Sequence, residues 1–322
     1  MANLVMVSYY DCANSGSRYC EAIRRHSFHS VFLARYGKRK DIVDKAIQEA
    51  DILWFKGDNL PVIQDGKIWL YDDFGKDIVS EFGGWNYKPD VKFMLTAGGS
   101  FFRRPLNIDK RIGYGLVPLQ KYKDFFHFRT ALSPDLNYPE LEGEYLPHAF
   151  DMLTAPYSWQ MSNPIKISYY KAQSDKKNVN RYLLPAVDIL NGEGYSVKLL
   201  PISGVPYKES IRIKKQSTIC YENVSQIGVY GNSGVEALAH GIPLMCNITD
   251  TAIQQANPYS DIYGFPILKV ASIEDIVATV KGIYNKDIDI EGVSKQSREY
   301  ALMLHDYPNV SKHIEKIINT IL

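Results

Sequence analysis

Residues 228–247, GVYGNSGVEALAHGIPLMCN, constrain the fold of this chain more than any other stretch. Glycines at positions 228, 231 and 234 predict a loop that leads into a short helix over 234–240. Gly241 stands where a C-cap glycine ends a helix, and Pro243 prevents its continuation. Residues 244–246 then form a short apolar strand. This order of loop, helix and buried strand is typical of α/β proteins.

The glycine loop and the acid behind it predict an anion site. Glycines ahead of a helix let backbone N–H groups approach a ligand closely, and the helix dipole adds positive potential that suits a phosphate or diphosphate. Glu236, the only acid in the stretch, follows one turn into the helix. A carboxylate can accept hydrogen bonds from both hydroxyls of a ribose. The alternative interpretation is a plain connection without a ligand.

Strands and helices alternate along the whole chain, which favours parallel sheets with helices on both faces. Apolar runs predict strands at 3–9, 31–34, 51–55, 67–71, 91–97, 126–132, 164–168, 196–201, 218–221, 244–246 and 266–270. Helical spacing and caps, among them Asn14 and Ser15, predict helices over 14–26, 41–49, 76–82, 180–191, 206–215, 251–256, 272–284 and 291–322.

An aperiodic stretch at 151–163 is the predicted linker between two domains. The predicted fold is therefore α/β, with two Rossmann-like, doubly wound domains at 1–155 and 156–308 that face each other across a cleft. Residues 309–322 follow Pro308 as a separate C-terminal helix.

Composition excludes some classes of function. The net charge of +1 over 322 residues argues against a chain that binds polyanions along its whole surface. The sequence has no run of 18 apolar residues, so no membrane span is predicted. The first residues lack the pattern of a signal peptide. The four cysteines are scattered without metal spacing, so we expect reduced thiols in a cytoplasmic protein.

The string Gly231-Asn232-Ser233-Gly234-Val235-Glu236-Ala237-Leu238-Ala239-His240-Gly241-Ile242-Pro243 resembles the donor-binding motif of GT-B glycosyltransferases, especially the retaining family 4, or group 1. Two further stretches are similar to that family: 96–103, TAGGSFFR, and 146–151, LPHAFD. Two departures accompany the resemblance. The acid that precedes the ribose-binding glutamate by eight positions is replaced by Gly228, and the family's histidine has only Thr96 near its place.

The resemblance implies a hexosyl or pentosyl transferase that moves a sugar from a nucleotide-diphosphate sugar such as a UDP-sugar to a hydroxyl acceptor, with retention. It also implies a last helix that crosses back to the first domain, which would be the acceptor side. No metal and no cofactor besides the nucleotide-sugar co-substrate is expected.

The resemblance also implies particular site residues. The catalytic candidates are Lys177, Lys171 and Glu236. The acceptor-binding candidates are Asp11, Ser100, Arg103 and Arg104. The donor-binding candidates are Ser15, Gly16, Lys176, Gly204, Tyr207, Tyr230, Gly231, Asn232, Ser233, Gly234 and Glu236.

Charge gives one indication about the acceptor. Residues 18–40 carry seven Lys or Arg against one acid, and residues 101–129 carry seven against two. Such stretches would attract an anionic acceptor, for example DNA with a modified base or a lipid-linked glycan at a membrane face; the alternative is a solvated basic face. Two other functions stay open: a sugar-nucleotide 2-epimerase of the same fold, and a non-catalytic nucleotide-sugar-binding homologue.

Overall fold

The computed structural model describes residues 1–8, 14–35, 37–57, 60–71, 84–97, 125–132, 143–171, 178–222, 228–256 and 265–322. The chain divides into two compact units, one formed by Met1–Ala149 with Tyr307–Leu322 and the other by Phe150–Asp306. The sequence places its boundaries after residues 155 and 308, a few residues beyond this division.

The described elements alternate as α/β proteins require. The strands are β1 (Asn3–Val7), β2 (Ser30–Ala34), β3 (Ile52–Gly57), β4 (Leu60–Gln64), β5 (Lys67–Tyr71), β6 (Lys92–Ala97), β7 (Phe128–Ala131), β8 (Glu144–Tyr145), β9 (Ile165–Tyr170), β10 (Val197–Ile202), β11 (Ile219–Tyr221), β12 (Leu244–Cys246) and β13 (Ile267–Lys269). The helices are α1 (Ser15–His26), α2 (Lys40–Glu49), α3 (Leu184–Gly192), α4 (Tyr207–Lys214), α5 (Asn232–Ala239), α6 (Asp250–Ala256), α7 (Ile273–Tyr284), α8 (Ile290–His305) and α9 (Tyr307–Ile321).

The first unit contains a six-stranded sheet in the order β2-β1-β3-β6-β7-β8, and every neighbouring pair in it is parallel. Along β1, Leu4 and Met6 pack into one core and Val5 and Val7 into another. Both faces are therefore covered, which explains why the strand is an unbroken apolar run.

The last helix, α9, belongs to the first unit, where it packs against α1. Val310, Ile314, Ile317 and Ile321 are spaced by three or four residues and are buried in the same core as Tyr19 of α1. This spacing gives one apolar stripe on a helix, so residues far apart in sequence complete one core.

A hairpin of β4 and β5 follows β3, and its strands pair antiparallel from Leu60↔Tyr71 to Gln64↔Lys67. Asp65 and Gly66 form its two-residue turn, with φ of 52° and 69°. Asp-Gly is a preferred pair for a turn that needs positive φ at both positions.

The second unit contains a five-stranded sheet in the order β10-β9-β11-β12-β13, and its pairs are all parallel. The strand order reverses at β9, which lies between β10 and β11. In open parallel sheets, ligands bind outside the carboxyl ends of the strands where the order reverses, here at the ends of β9 and β11. The prediction of two parallel-sheet α/β units is confirmed.

Two further observations concern the described residues. Cys20, Cys220 and Cys246 are buried free thiols. Across the ranges given above, no helix combines the length and the apolar character that crossing a bilayer demands.

Candidate functional site

The start of α5 is the centre of the candidate site. The helix begins at Asn232, two residues earlier than the sequence predicts, and no side chain caps it at Gly231. The N–H groups of Gly234 and Val235 both donate to the carbonyl of Gly231, at 3.0 and 3.1 Å. These two N–H groups already have an acceptor, so an anion at this start would bind the N–H groups ahead of them in the first turn, those of Asn232 and Ser233.

Two glycines of this loop are required by the packing around them. Gly228 has a φ of +63°, and a β-carbon there would lie 2.6 Å from Cγ2 of Thr249. A β-carbon at Gly234 would lie 2.7 Å from Cβ of Tyr230 and 2.8 Å from Oε2 of Glu222. The loop therefore packs tightly on the end of β11, and glycine is needed for space as well as for conformation.

The other end of α5 is fixed by a C-terminal glycine motif. Gly241 has a φ of +73°; its N–H donates to the carbonyl of Leu238, and that of Ile242 donates to the carbonyl of Ala237, both at 2.9 Å. These are the two bonds of a Schellman motif. Arg298 of α8 adds bonds to the carbonyls of Ala239 and, at 3.1 Å, Met152.

Glu236 is buried, and its carboxylate is paired. Oε2 of Glu236 lies 2.6 Å from Nζ of Lys214, the last residue of α4. The same Nζ donates to the carbonyl of Ser233 at 3.1 Å and lies 5.1 Å from the centre of the Tyr170 ring. Lys214 is fully buried, and the Glu236 side chain is 7% exposed. The predicted ribose contact is therefore one partner of a buried ion pair.

The charge state of Lys214 follows from these neighbours. Burial alone would lower the pKa of its ammonium group, but the attraction of the Glu236 carboxylate, with smaller effects of Cys220 and Tyr170, outweighs burial and raises the pKa. Lys214 is therefore a cation at neutral pH.

Tyr230, predicted to bind the donor, turns its side chain into the core of the second unit. Its hydroxyl lies 2.7 Å from the hydroxyl of Tyr300 and 3.0 Å from Nε2 of His305. Burial raises the pKa of Tyr300, although the hydrogen bond with Tyr230 opposes this effect. In this arrangement the ring of Tyr230 anchors the glycine loop to α8.

Lys171, a predicted catalytic residue, and Glu222, which was not among the predicted site residues, lie at the ends of the two strands between which the strand order reverses. Lys171 directly follows β9 and is exposed, whereas Glu222 directly follows β11 and is 3% exposed. The carboxylate of Glu222 is close to Gly231 as well as Gly234. Gly204 and Tyr207 follow the neighbouring strand β10, and both are exposed.

In the first unit, Ser15 and Gly16 are buried in the first turn of α1. Asn14 is the N-cap residue, as expected, but it adopts a φ of 55° and its side chain makes no capping hydrogen bond. Thr96, the nearest counterpart of the family's histidine, is inside the sheet, where its hydroxyl lies 2.6 Å from Nε1 of Trp54. Thr96 is therefore a structural residue.

The basic stretch and six of the predicted site residues need separate comment. Within 18–40, Arg25 pairs with Glu21, Arg39 with Asp41 and Lys40 with Asp44, at 2.6–3.0 Å, which reduces the basic character of this stretch. Six predicted site residues lie outside the described residues: Asp11, Ser100, Arg103, Arg104, Lys176 and Lys177. In the part of the chain that is described, no group of three or more His, Cys, Asp or Glu side chains is arranged to hold a metal ion.

Sequence reasoning missed Lys214. A lysine is seldom fully buried, and the isoleucines of α4, Ile211 and Ile213, are two positions apart and define no single inward face. The buried residues of this helix are Ser210 and Lys214. Only the spacing of four residues between these two polar residues hints at a shared polar face.

Comparison with solved structures identifies the architecture. An α-glucosyltransferase solved with UDP and a 13-mer DNA containing a central A:G mismatch is 10% identical, with a TM-score of 0.60, over 98% of this chain and 99% of that chain. Anabaena Alr3699/HepE, solved with UDP and glucose, is 8% identical, with a TM-score of 0.58, over 99% and 100%. A glycosyltransferase from Rickettsia africae is 10% identical, with a TM-score of 0.56, over 99% and 98%.

The chain has the GT-B fold. Identities of 8–10% establish the fold and nothing finer. No protein-family model matches this chain, and a search of curated proteins found no match.

Proposed function

We propose that the chain is a glycosyltransferase that moves a sugar from a nucleotide-diphosphate sugar to a hydroxyl acceptor. The observation that carries the proposal is the uncapped start of α5, which lies in the connection after β11 and has Glu236 one turn further on. The diphosphate binds at the N–H groups of this start, and Glu236 accepts hydrogen bonds from the ribose. UDP is the proposed nucleotide, because structures of the same fold were solved with it.

The reaction needs stabilisation of a departing diphosphate. The acceptor oxygen bonds to the anomeric carbon and passes its proton to an oxygen of the departing diphosphate, while the bond from that carbon to the diphosphate breaks and its electron pair leaves with the nucleotide. The start of α5 and a lysine after β9 offset the charge that develops on the diphosphate. Lys171 follows β9 directly, and Lys176 and Lys177 remain candidates for the same role. We propose retention at the anomeric carbon and no metal requirement.

The remaining predicted residues keep their proposed roles. Gly204 and Tyr207 border the nucleotide, and Ser15 and Gly16 remain the donor-binding candidates of the first unit. Asp11, Ser100, Arg103 and Arg104 contact the acceptor. Duplex DNA with a hydroxymethylated base is the first acceptor to test, because a protein of the same fold was solved with DNA; a lipid-linked glycan is the second.

Calorimetric titration with UDP and UDP-glucose tests donor binding. We expect Glu236→Gln to weaken UDP binding by about 10- to 100-fold, because a hydrogen bond to a charged group contributes about 1.5–3 kcal/mol. Glu274→Gln is the matched control, since Glu274 is exposed on α7 of the same unit. Equal UDP affinity in the wild type and Glu236→Gln would contradict the assigned ribose contact.

Product analysis separates the proposed transferase from the two alternatives. Incubation with UDP-glucose and each acceptor should release UDP and yield a glycosylated product, whose anomeric configuration is read by NMR. An isomerised UDP-sugar would identify an epimerase. Binding without turnover of any donor would favour the non-catalytic homologue, an interpretation motivated by Gly228 in place of the first acid.

A further inference from the structure

The donor site contains one buried charge that the proposed reaction does not use. Lys214 ends α4, and its side chain is fully buried while its ammonium group contacts Glu236. The lysine cannot touch a ligand directly from this position, because the carboxylate and the backbone of α5 surround its Nζ.

A buried ion pair needs a reason beyond stability. Removing two charges from water costs several kcal/mol for each ion, and apolar residues of similar volume are often as stable or more so. A residue that only filled space at the end of α4 could therefore be apolar. The pair instead fixes the direction of the Glu236 carboxylate.

The contacts of Lys214 join the two parts of the donor site. Its Nζ donates to the carbonyl of Ser233 at 3.1 Å and to Oε2 of Glu236 at 2.6 Å. Ser233 is in the first turn of α5, where the diphosphate is expected, and Glu236 is the expected ribose contact. The ammonium group also lies over the ring of Tyr170, whose hydroxyl is 2.6 Å from Ser210 of α4.

We propose that Lys214 is a positioning residue of the donor site, which holds the first turn of α5 and the carboxylate of Glu236 in one arrangement so that Glu236 recognises the ribose hydroxyls. This inference rests on the proposed function. A nucleotide that lacks the two hydroxyls cannot use the positioned carboxylate, and this difference separates positioning from general support of the fold.

The test measures the affinities of UDP and 2′,3′-dideoxy-UDP by calorimetry for the wild type, Lys214→Met and Lys208→Met. Lys208 is an exposed lysine of the same helix and is the matched control. We expect the wild type and Lys208→Met to prefer UDP by about tenfold or more, as sites built around a ligand hydroxyl do. Lys214→Met should lose most of this preference, through weaker binding of UDP and nearly unchanged binding of the dideoxy nucleotide.

The outcomes distinguish this inference from the proposed function. A folded Lys214→Met protein that keeps the wild-type preference, or that loses affinity for both nucleotides equally, overturns the positioning role while the proposed function stands. A wild type that does not bind UDP overturns both. If Lys214→Met does not fold, as judged by circular dichroism, the same ratio is measured on Lys214→Leu, which also removes the donor to Glu236, and an unchanged preference there overturns the inference.

Discussion

Gly241→Ala should destabilise the second unit by an amount that can be worked out from the structure. A left-handed backbone at a non-glycine residue costs about 1–2 kcal/mol, and Gly241 has a φ of +73°. The new β-carbon would also lie 2.4 Å from Cε2 of Tyr157. Tyr157 is 43% exposed, so its ring can swing outward, but it then loses its hydrogen bond with Ser294, which contributes about 0.5–1.5 kcal/mol.

The expected total is about 1.5–3.5 kcal/mol, or about 3–14 °C in Tm for a unit of this size. Urea unfolding followed by circular dichroism measures it. Gly204→Ala is the matched control, because Gly204 has a φ of +62° and a β-carbon added there would meet no atom of the described residues within 4 Å, its chain neighbours aside. The cost of Gly204→Ala should be the conformational part alone, about 1–2 kcal/mol.

A double-mutant cycle isolates the clash from the conformational cost. In a Tyr157→Ala background, Gly241→Ala should cost no more than Gly204→Ala, since the ring is gone. The reasoning is refuted if Gly241→Ala costs the same as Gly204→Ala in the wild-type background, or if its excess cost survives the removal of the ring.

Two further predictions concern the same unit. Burial lowers the pKa of His240 despite the opposing hydrogen bond with the carbonyl of Pro156. The folded state therefore binds fewer protons than the unfolded chain. The free energy of unfolding should fall as pH drops below about 6.5. His240→Asn should flatten this pH dependence, measured by urea unfolding between about pH 5 and 7. An unchanged slope would mean that the pH dependence comes from other groups, such as His29 and His127, whose pKa values burial also lowers. Arg298→Met should cost about 1.5–3 kcal/mol, because it removes charged donors from the carbonyls of Ala239 and Met152. The exposed pair of Arg212 with Glu209 provides the control Arg212→Met at below about 1 kcal/mol, and equal costs would contradict the role of Arg298 at the end of α5.

Parallel strands can be predicted where they are nearly continuous apolar runs, as burial on both faces requires. β1 and β6 were found in this way, close to their observed bounds. β8 has only two residues and gives no periodic signal. β4 contains Pro61, which weakens a strand pattern, although the Asp65-Gly66 turn that follows it was a readable sign of a hairpin.

The candidate site was predictable only where local sequence decides the structure. The loop, α5 and the glycine that ends it follow from residues 228–243, because backbone conformation and caps are local properties. The ion pair of Glu236 with Lys214 joins residues 22 positions apart in sequence, and lysine is a residue type that is seldom buried. Contacts of this kind depend on how α4 and α5 pack, which a single sequence does not specify.

The absence of an acid at position 228 also has a physical reason in the structure. Gly228 adopts a φ of +63°, and any β-carbon there would meet Thr249 at 2.6 Å, so aspartate or glutamate would strain the loop and displace its neighbour. The carbonyl of Gly228 accepts a hydrogen bond from the N–H of Thr249 at 3.0 Å, which fixes the loop in this conformation. Restoring the family's acid would therefore distort the loop that leads to α5. Glu222 brings a carboxylate to Gly231 and Gly234 from the end of β11 instead, so a second acid reaches this loop by a different route along the chain.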